Sequence, residues 1–231
     1  MLLAEVGFWG RSRSHFFALV LLCTIAAVPL SSAKFLGSLE RDCQVLETIP
    51  GIVELYSGDP DPGWCCQEEF LVSSKARNRE FACNQDRISK VQLDNLKLSG
   101  PLPEAIGDLS QLEELSLRFN KFNSSVPSAW GNLKQLKSLR LDHNKLAGPL
   151  PPEIGSMEAL KDLVLYNNEL SGSLPPSIGK LANCQSLLIN DNKISGALPA
   201  TIGDMKNLQV GLLVRRVSVF IEPHNIYTRR L

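Results

Sequence analysis

Six cysteines, three histidines and 24 carboxylates are the side chains of this 231-residue sequence best suited to catalysis or metal binding. The cysteines are Cys23, Cys43, Cys65, Cys66, Cys83 and Cys184, and the histidines are His15, His143 and His224. Thiolates and imidazoles can hold zinc or act as nucleophile and base, but only with partners at defined spacing. Residues 34–87 gather four of the cysteines and contain no histidine, which weighs against a zinc site there and for cross-linking. No serine or cysteine stands in a nucleophile elbow, and neither a phosphate-binding loop nor a kinase signature occurs. The sequence therefore predicts a non-enzyme that needs no metal and no small-molecule cofactor.

Bulk composition narrows the class further. A hydrophobic share of 44% with 21% charged residues is that of a folded soluble chain, neither disordered nor multi-span. Lysine plus arginine and aspartate plus glutamate each number 24, so no global field steers the chain to nucleic acid or an anionic membrane. Leucine is about one residue in six, so the core must be branched-aliphatic. The first residues read as an address. Arg11 and Arg13 precede an apolar run from Phe16 to Val28, and Ser31, Ser32 and Ala33 offer small residues for cleavage. A signal peptide over 1–33 is predicted, hence secretion into an oxidising compartment. Five cysteines then remain, an odd number that leaves one thiol free.

The elements that position these groups are written in a 24-residue period. Asn120, Asn144, Asn168 and Asn192 are in step, as are Pro103, Pro127, Pro151, Pro175 and Pro199, and Gly107, Gly131, Gly155, Gly179 and Gly203. Between them fall Leu112, Leu115 and Leu117, then Leu136, Leu139 and Leu141, then Leu160, Leu163 and Leu165. The unit is L-x-x-L-x-L-x-x-N-x-L-S-G-x-L-P-x-x-I-G-x-L. Its L-x-L alternation turns two leucines inward on a short strand, and one coil alone cannot bury them, so coils must stack into a parallel sheet. Asparagine amides, donor and acceptor at once, are suited to pair the backbone where each strand turns inward. Leu96 occupies the asparagine position of the first coil, which suits a coil whose upstream neighbour is not a repeat. Ser124 replaces a glycine and creates Asn123-Ser124-Ser125, the one N-x-S/T acceptor in the chain, so Asn123 is a candidate glycosylation site.

These repeats resemble the plant-type leucine-rich repeat of receptor-like kinases, receptor-like proteins and polygalacturonase-inhibiting proteins, which is not confined to plants. The resemblance runs from Ile88 to about Leu208. It implies an α/β solenoid, a leucine-rich-repeat horseshoe with a parallel concave sheet, a 3₁₀ or irregular convex side and a cysteine-containing N-terminal cap. The expected organisation is signal peptide 1–33, cap 34–87, five coils over 88–209 and a non-repeat tail over 210–231. Four cap cysteines allow three connectivities, and adjacent Cys65 and Cys66 are poor partners for each other. The resemblance implies Cys43 with Cys65 and Cys66 with Cys83, although the family's short tryptophan-containing link after the cysteine pair is replaced here by the polar stretch 67–82. Cys184 shares its frame with Leu112, Leu136 and Leu160 and is expected to be the free thiol, buried and inert.

Strand residues alternating with the leucines should line the concave face. They form rows: Gln92, Ser116, Arg140, Val164 and Leu188; Asp94, Arg118, Asp142, Tyr166 and Asn190; Asn95, Phe119, His143, Asn167 and Asp191. Ligand contacts are expected at Phe119, Arg140, His143 and Tyr166, with Arg118 and Asp142 beside them, a mix of aromatic and charged side chains suited to a protein or peptide. The resemblance implies a receptor-like ectodomain at the cell surface, working with a membrane co-receptor, or a soluble inhibitor or wall-associated binder. Beyond Leu208 the frame asks for an aliphatic at 211 and an asparagine at 216, where Gly211 and Arg216 stand. The period is expected to fail from Val210. Either the gene model is truncated or reads into an intron after Gln209, or Leu212, Leu213, Val217, Val219 and Ile221 fold over the last coil as a substitute cap.

Overall fold

A computed structural model describes residues 40–52, 65, 79–85, 87–214, 217–222 and 225–230. The predicted signal peptide, Cys66 and Arg216 lie outside the described residues. Within the unit Phe35–Leu231 the chain is a leucine-rich-repeat solenoid. Three-residue strands Glu114–Ser116, Ser138–Arg140, Asp162–Val164 and Ser186–Leu188 stack in parallel, each residue paired with the one 24 positions on. Inward leucines meet across the ladder, so Val91, Leu115, Leu139, Leu163 and Leu187 are all buried. Short secondary strands follow on the flank, among them Ala147–Gly148, Glu169–Gly172 and Lys193–Ile194.

The return path of each coil is a five-residue 3₁₀ turn opened by the periodic proline: Glu104–Asp108, Ser128–Asn132, Pro152–Ser156, Pro176–Lys180 and Ala200–Asp204. Proline fixes φ near −65° in an extended geometry just before each turn. The third residue of each turn points into the core, and Trp130 fills that place in the second coil, its indole N–H donating to the Pro103 carbonyl at 2.8 Å. The glycine that follows is dictated by distance. A Cβ on Gly155 would stand 2.1 Å from the Ser177 carbonyl oxygen, so only a bare backbone lets the next coil approach.

The asparagines reach backwards. Asn144 Oδ1 accepts from the Phe122 N–H of the preceding coil at 3.1 Å, while its amide donates to the Leu117 carbonyl of that coil at 2.9 Å and to its own Leu141 carbonyl at 3.0 Å. Asn120, Asn168 and Asn192 repeat the pattern. This explains Leu96. An asparagine there would have no preceding coil to serve, and the first coil's turn is instead satisfied by Asn120 from the second. Ser124 likewise takes over a backbone task, its hydroxyl accepting from the Leu102 N–H at 2.9 Å.

Ahead of the first coil, strand Arg79–Asn84 pairs antiparallel with Arg87–Leu93 and covers that sheet edge. A helix over 40–47 places Asp42 where it is buried and accepts from Arg87 Nε at 2.8 Å, Arg87 Nη2 at 3.0 Å and the Ile88 N–H at 3.1 Å. That bond to Asp42 raises the Arg87 pKa above its ordinary value, against the opposing effect of burial. Cys43 is disulfide-bonded to Cys65, with their Cα atoms 5.6 Å apart, and Cys83 is also in a disulfide.

At the other end the register runs one strand further than the sequence frame suggests. Val210–Val214 continues the parallel ladder, Gly211 opposite Leu187. Pairing needs only the backbone N–H and C=O groups, so the missing aliphatic at 211 does not break it. Val217–Glu222 and Asn225–Arg230 then extend the sheet as antiparallel strands. Leu198, on the last coil, remains 36% exposed, whereas its counterpart Leu174 is buried.

Candidate functional site

The C-terminal ends of the concave strands form a rim whose backbone is unusual. Asn95, Phe119, His143, Asn167 and Asp191 all have φ between 51° and 57°. Asparagine and aspartate visit this left-handed region readily, but a bulky side chain does so at a cost of roughly 1–2 kcal/mol. The two central coils therefore hold Phe119 and His143 where the fold favours a small polar residue. Such strain clusters at binding surfaces.

These two rings stack, centroids 4.2 Å apart and 13° from parallel. Tyr166 meets His143 edge-on at 5.1 Å and 78°, and the Asn167 side-chain amide contacts His143 Nδ1. Phe119 is 44% exposed despite the stack, and the Arg118 guanidinium lies 5.1 Å from its ring centroid. Three aromatic rings from three successive coils thus make one platform. His143, Tyr166, Asn167, Asp191 and Lys193 also line a shallow open depression beside it.

Arg140 is exposed and makes no ion pair or side-chain hydrogen bond among the described residues. Asp142 corrects the expected row. It is fully buried, because Arg118 from the preceding coil lies over it with Nε 2.9 Å from both carboxylate oxygens. Arg118 keeps a raised pKa: burial opposes its charge, but Asp142 and Tyr166 more than offset this. Asp142 therefore positions Arg118 and is not itself offered to a ligand. Val164, expected on the face, is buried as well. Upstream, Asp94 accepts from the Ser116 hydroxyl at 2.7 Å and from the Arg118 N–H at 3.0 Å, which fixes the start of the rim.

Replacing Phe119 by asparagine is expected to move stability by less than about 1 kcal/mol, because relief of the left-handed strain offsets loss of the ring contact. Urea unfolding of the variant checks this, and a larger loss would make Phe119 a structural residue. Cys184 is buried, and burial pushes its thiol up to about 12. Iodoacetamide at about pH 8 should leave it unmodified in the folded protein and alkylate it in urea. The free thiol also favours folding at lower pH, and its contribution fades as pH rises from the ordinary thiol value through about 12.

Among the described residues no cluster of histidine, cysteine and carboxylates could hold a metal ion. The aromatic platform can stack, accept hydrogen bonds and present cations. Two features escaped the sequence reading although both lie in its frame: the left-handed column, and a lysine at the same interval on its flank.

Comparison with known proteins agrees with this architecture. The family described as Leucine rich repeat matches residues 86–146, and a second Leucine Rich Repeat family matches 159–181. Similar solved structures include the ectodomain of the receptor kinase SOBIR1 from Arabidopsis thaliana, 28% identical, covering 75% of this chain and 92% of that one with a TM-score of 0.58. A chain of the BIR3–SERK2 complex from the same plant is 25% identical over 70% of this chain and 87% of its own, with a TM-score of 0.59. PEPR1 bound to AtPEP1 is 33% identical over 53% of this chain, with a TM-score of 0.52, but this chain covers only 17% of that structure's length. Residues 86–146 and 159–181 are thus leucine-rich repeats, and the solenoid they build is similar to those of plant receptor ectodomains.

Proposed function

We propose that this protein is an extracellular recognition module of the receptor-like kind, binding a protein or peptide ligand through the rim centred on Phe119, Arg140, His143 and Tyr166. The observation that carries the reading is the exposed Phe119–His143 stack held on left-handed backbone. A core needs no exposed ring there, and a solvated face gains nothing from the strain. That PEPR1 was solved with AtPEP1 and BIR3 with SERK2 supports a protein or peptide partner, and a membrane co-receptor belongs to the same proposal. The Cys43–Cys65 bridge fits an oxidising, extracellular location. Asn123 is exposed on its turn, and a glycan there would sit on the flank of the second coil.

The test uses the ligand isolated by affinity capture on the intact protein. Alanine at Phe119, Arg140, His143 and Tyr166 together should weaken its binding at least about a hundredfold, since anchors of this type each contribute on the order of 2 kcal/mol. Unchanged affinity in a variant that still folds would overturn the placement.

A further inference from the structure

Two residues beyond each left-handed position runs a second column in the same frame: Lys97, Lys121, Lys145, Glu169 and Lys193, all exposed. Lys193 and Glu169 form an ion pair at 2.7 Å, and Lys193, with Lys145 adding, holds the Glu169 carboxyl below its ordinary range. Lys97, Lys121 and Lys145 make no ion pair among the described residues. Acidic residues collect elsewhere. Glu104, Asp108, Glu153 and Asp204 lie on the 3₁₀ turns, which carry a single lysine, Lys180. The flank column thus carries four lysines and one glutamate, and the five turns four carboxylates and one lysine.

Adjacent coils are about 4.8 Å apart, and like charges on neighbouring strands repel. Three ammonium groups without an ion pair on three successive coils add repulsion along the column, which only Lys145 offsets, through Glu169. Each stands two residues beyond a rim position, and Lys193, the paired member of the same column, lines the depression that His143 and Tyr166 line. A chain that fits both columns must carry carboxylates and apolar side chains together. A polyuronate supplies only the first kind.

We propose that the rim binds an extended acidic peptide laid across the coils, its carboxylates over Lys97, Lys121 and Lys145 and its apolar side chains on Phe119 and His143. This rests on the recognition function proposed above and specifies its ligand. An extended peptide turns alternate side chains to opposite sides, so alternating acidic and apolar residues can address two parallel columns.

The probe is a fluorescein-labelled peptide of alternating glutamate and phenylalanine, compared with its glutamine–phenylalanine analogue and with oligogalacturonate, by fluorescence anisotropy on the full chain. The glutamate peptide should bind about tenfold more tightly than the glutamine analogue, with an advantage that shrinks as salt is added. The triple variant Lys97→Gln, Lys121→Gln, Lys145→Gln should lose that tenfold, and Lys180→Gln on the 3₁₀ side should not. These exposed positions leave the fold intact, as thermal melting will show. No binding of either peptide, equal binding of the two, an unaffected triple variant, or oligogalacturonate binding as tightly as the peptide would each overturn the proposal. If the triple variant keeps the captured ligand while Phe119→Ala loses it, the acidic-peptide inference fails and the recognition reading stands. If Phe119→Ala and His143→Ala leave all binding unchanged, the recognition reading fails too.

Discussion

Replacing Asn144 by alanine is expected to destabilise the protein by about 3 kcal/mol. The Phe122 N–H, buried in the preceding coil, loses its acceptor outright. Leu117 and Leu141 each lose one donor but keep another, from Asn120 and Asn168 respectively. One orphaned buried donor therefore sets most of the cost. Aspartate at the same position keeps the acceptor and loses the donor, placing a carboxylate against two carbonyl oxygens, and should be at least as damaging. Leu96→Asn is the informative converse. With no preceding coil to serve, it should gain nothing despite restoring the repeat's consensus. Urea midpoints of the three variants provide the measurement; a neutral Asn144→Ala would mean that water satisfies the turn.

Arg118→Met is expected to cost about 3–5 kcal/mol at neutral pH, because the unbranched side chain still covers the Asp142 carboxylate and leaves it without its partner. The penalty belongs to the charge, not to the lost packing alone. The double variant Arg118→Met, Asp142→Leu should recover most of the loss, since a well-packed apolar pair replaces a buried ion pair without a stranded charge. No recovery in the double variant would assign Arg118 a packing role instead. Because Arg118 also lies near Phe119, the same comparison separates its fold contribution from its part in the rim.

Much of the repeat architecture was legible because a 24-residue period imposes identical local problems on every coil. Which leucines point inward, where each 3₁₀ turn begins and why Leu96 replaces asparagine all follow from that frame. The position of Cys184 was legible for the same reason. What the frame does not encode is how long side chains settle across neighbouring coils. Asp142 and Tyr166 share one outward row, yet one is buried beneath Arg118 and the other helps build the platform. Alternation gives the direction of a Cβ, not the reach of a guanidinium from the coil before. The left-handed backbone at Phe119 and His143 was hidden for another reason, since neither residue type announces positive φ as glycine does. The persistence of the ladder through Gly211 was not legible because a side-chain pattern carries no record of the backbone that a sheet edge recruits.

The backward reach of the asparagines also gives the molecule a direction in time. Each of the first four coils completes its turn only with an amide supplied by its successor, so during synthesis a newly emerged coil stays open until roughly the next 24 residues have left the ribosome. Chain growth and structural closure then advance together, always one coil out of phase, and a translational pause would be felt by the coil already made, not by the one still to come.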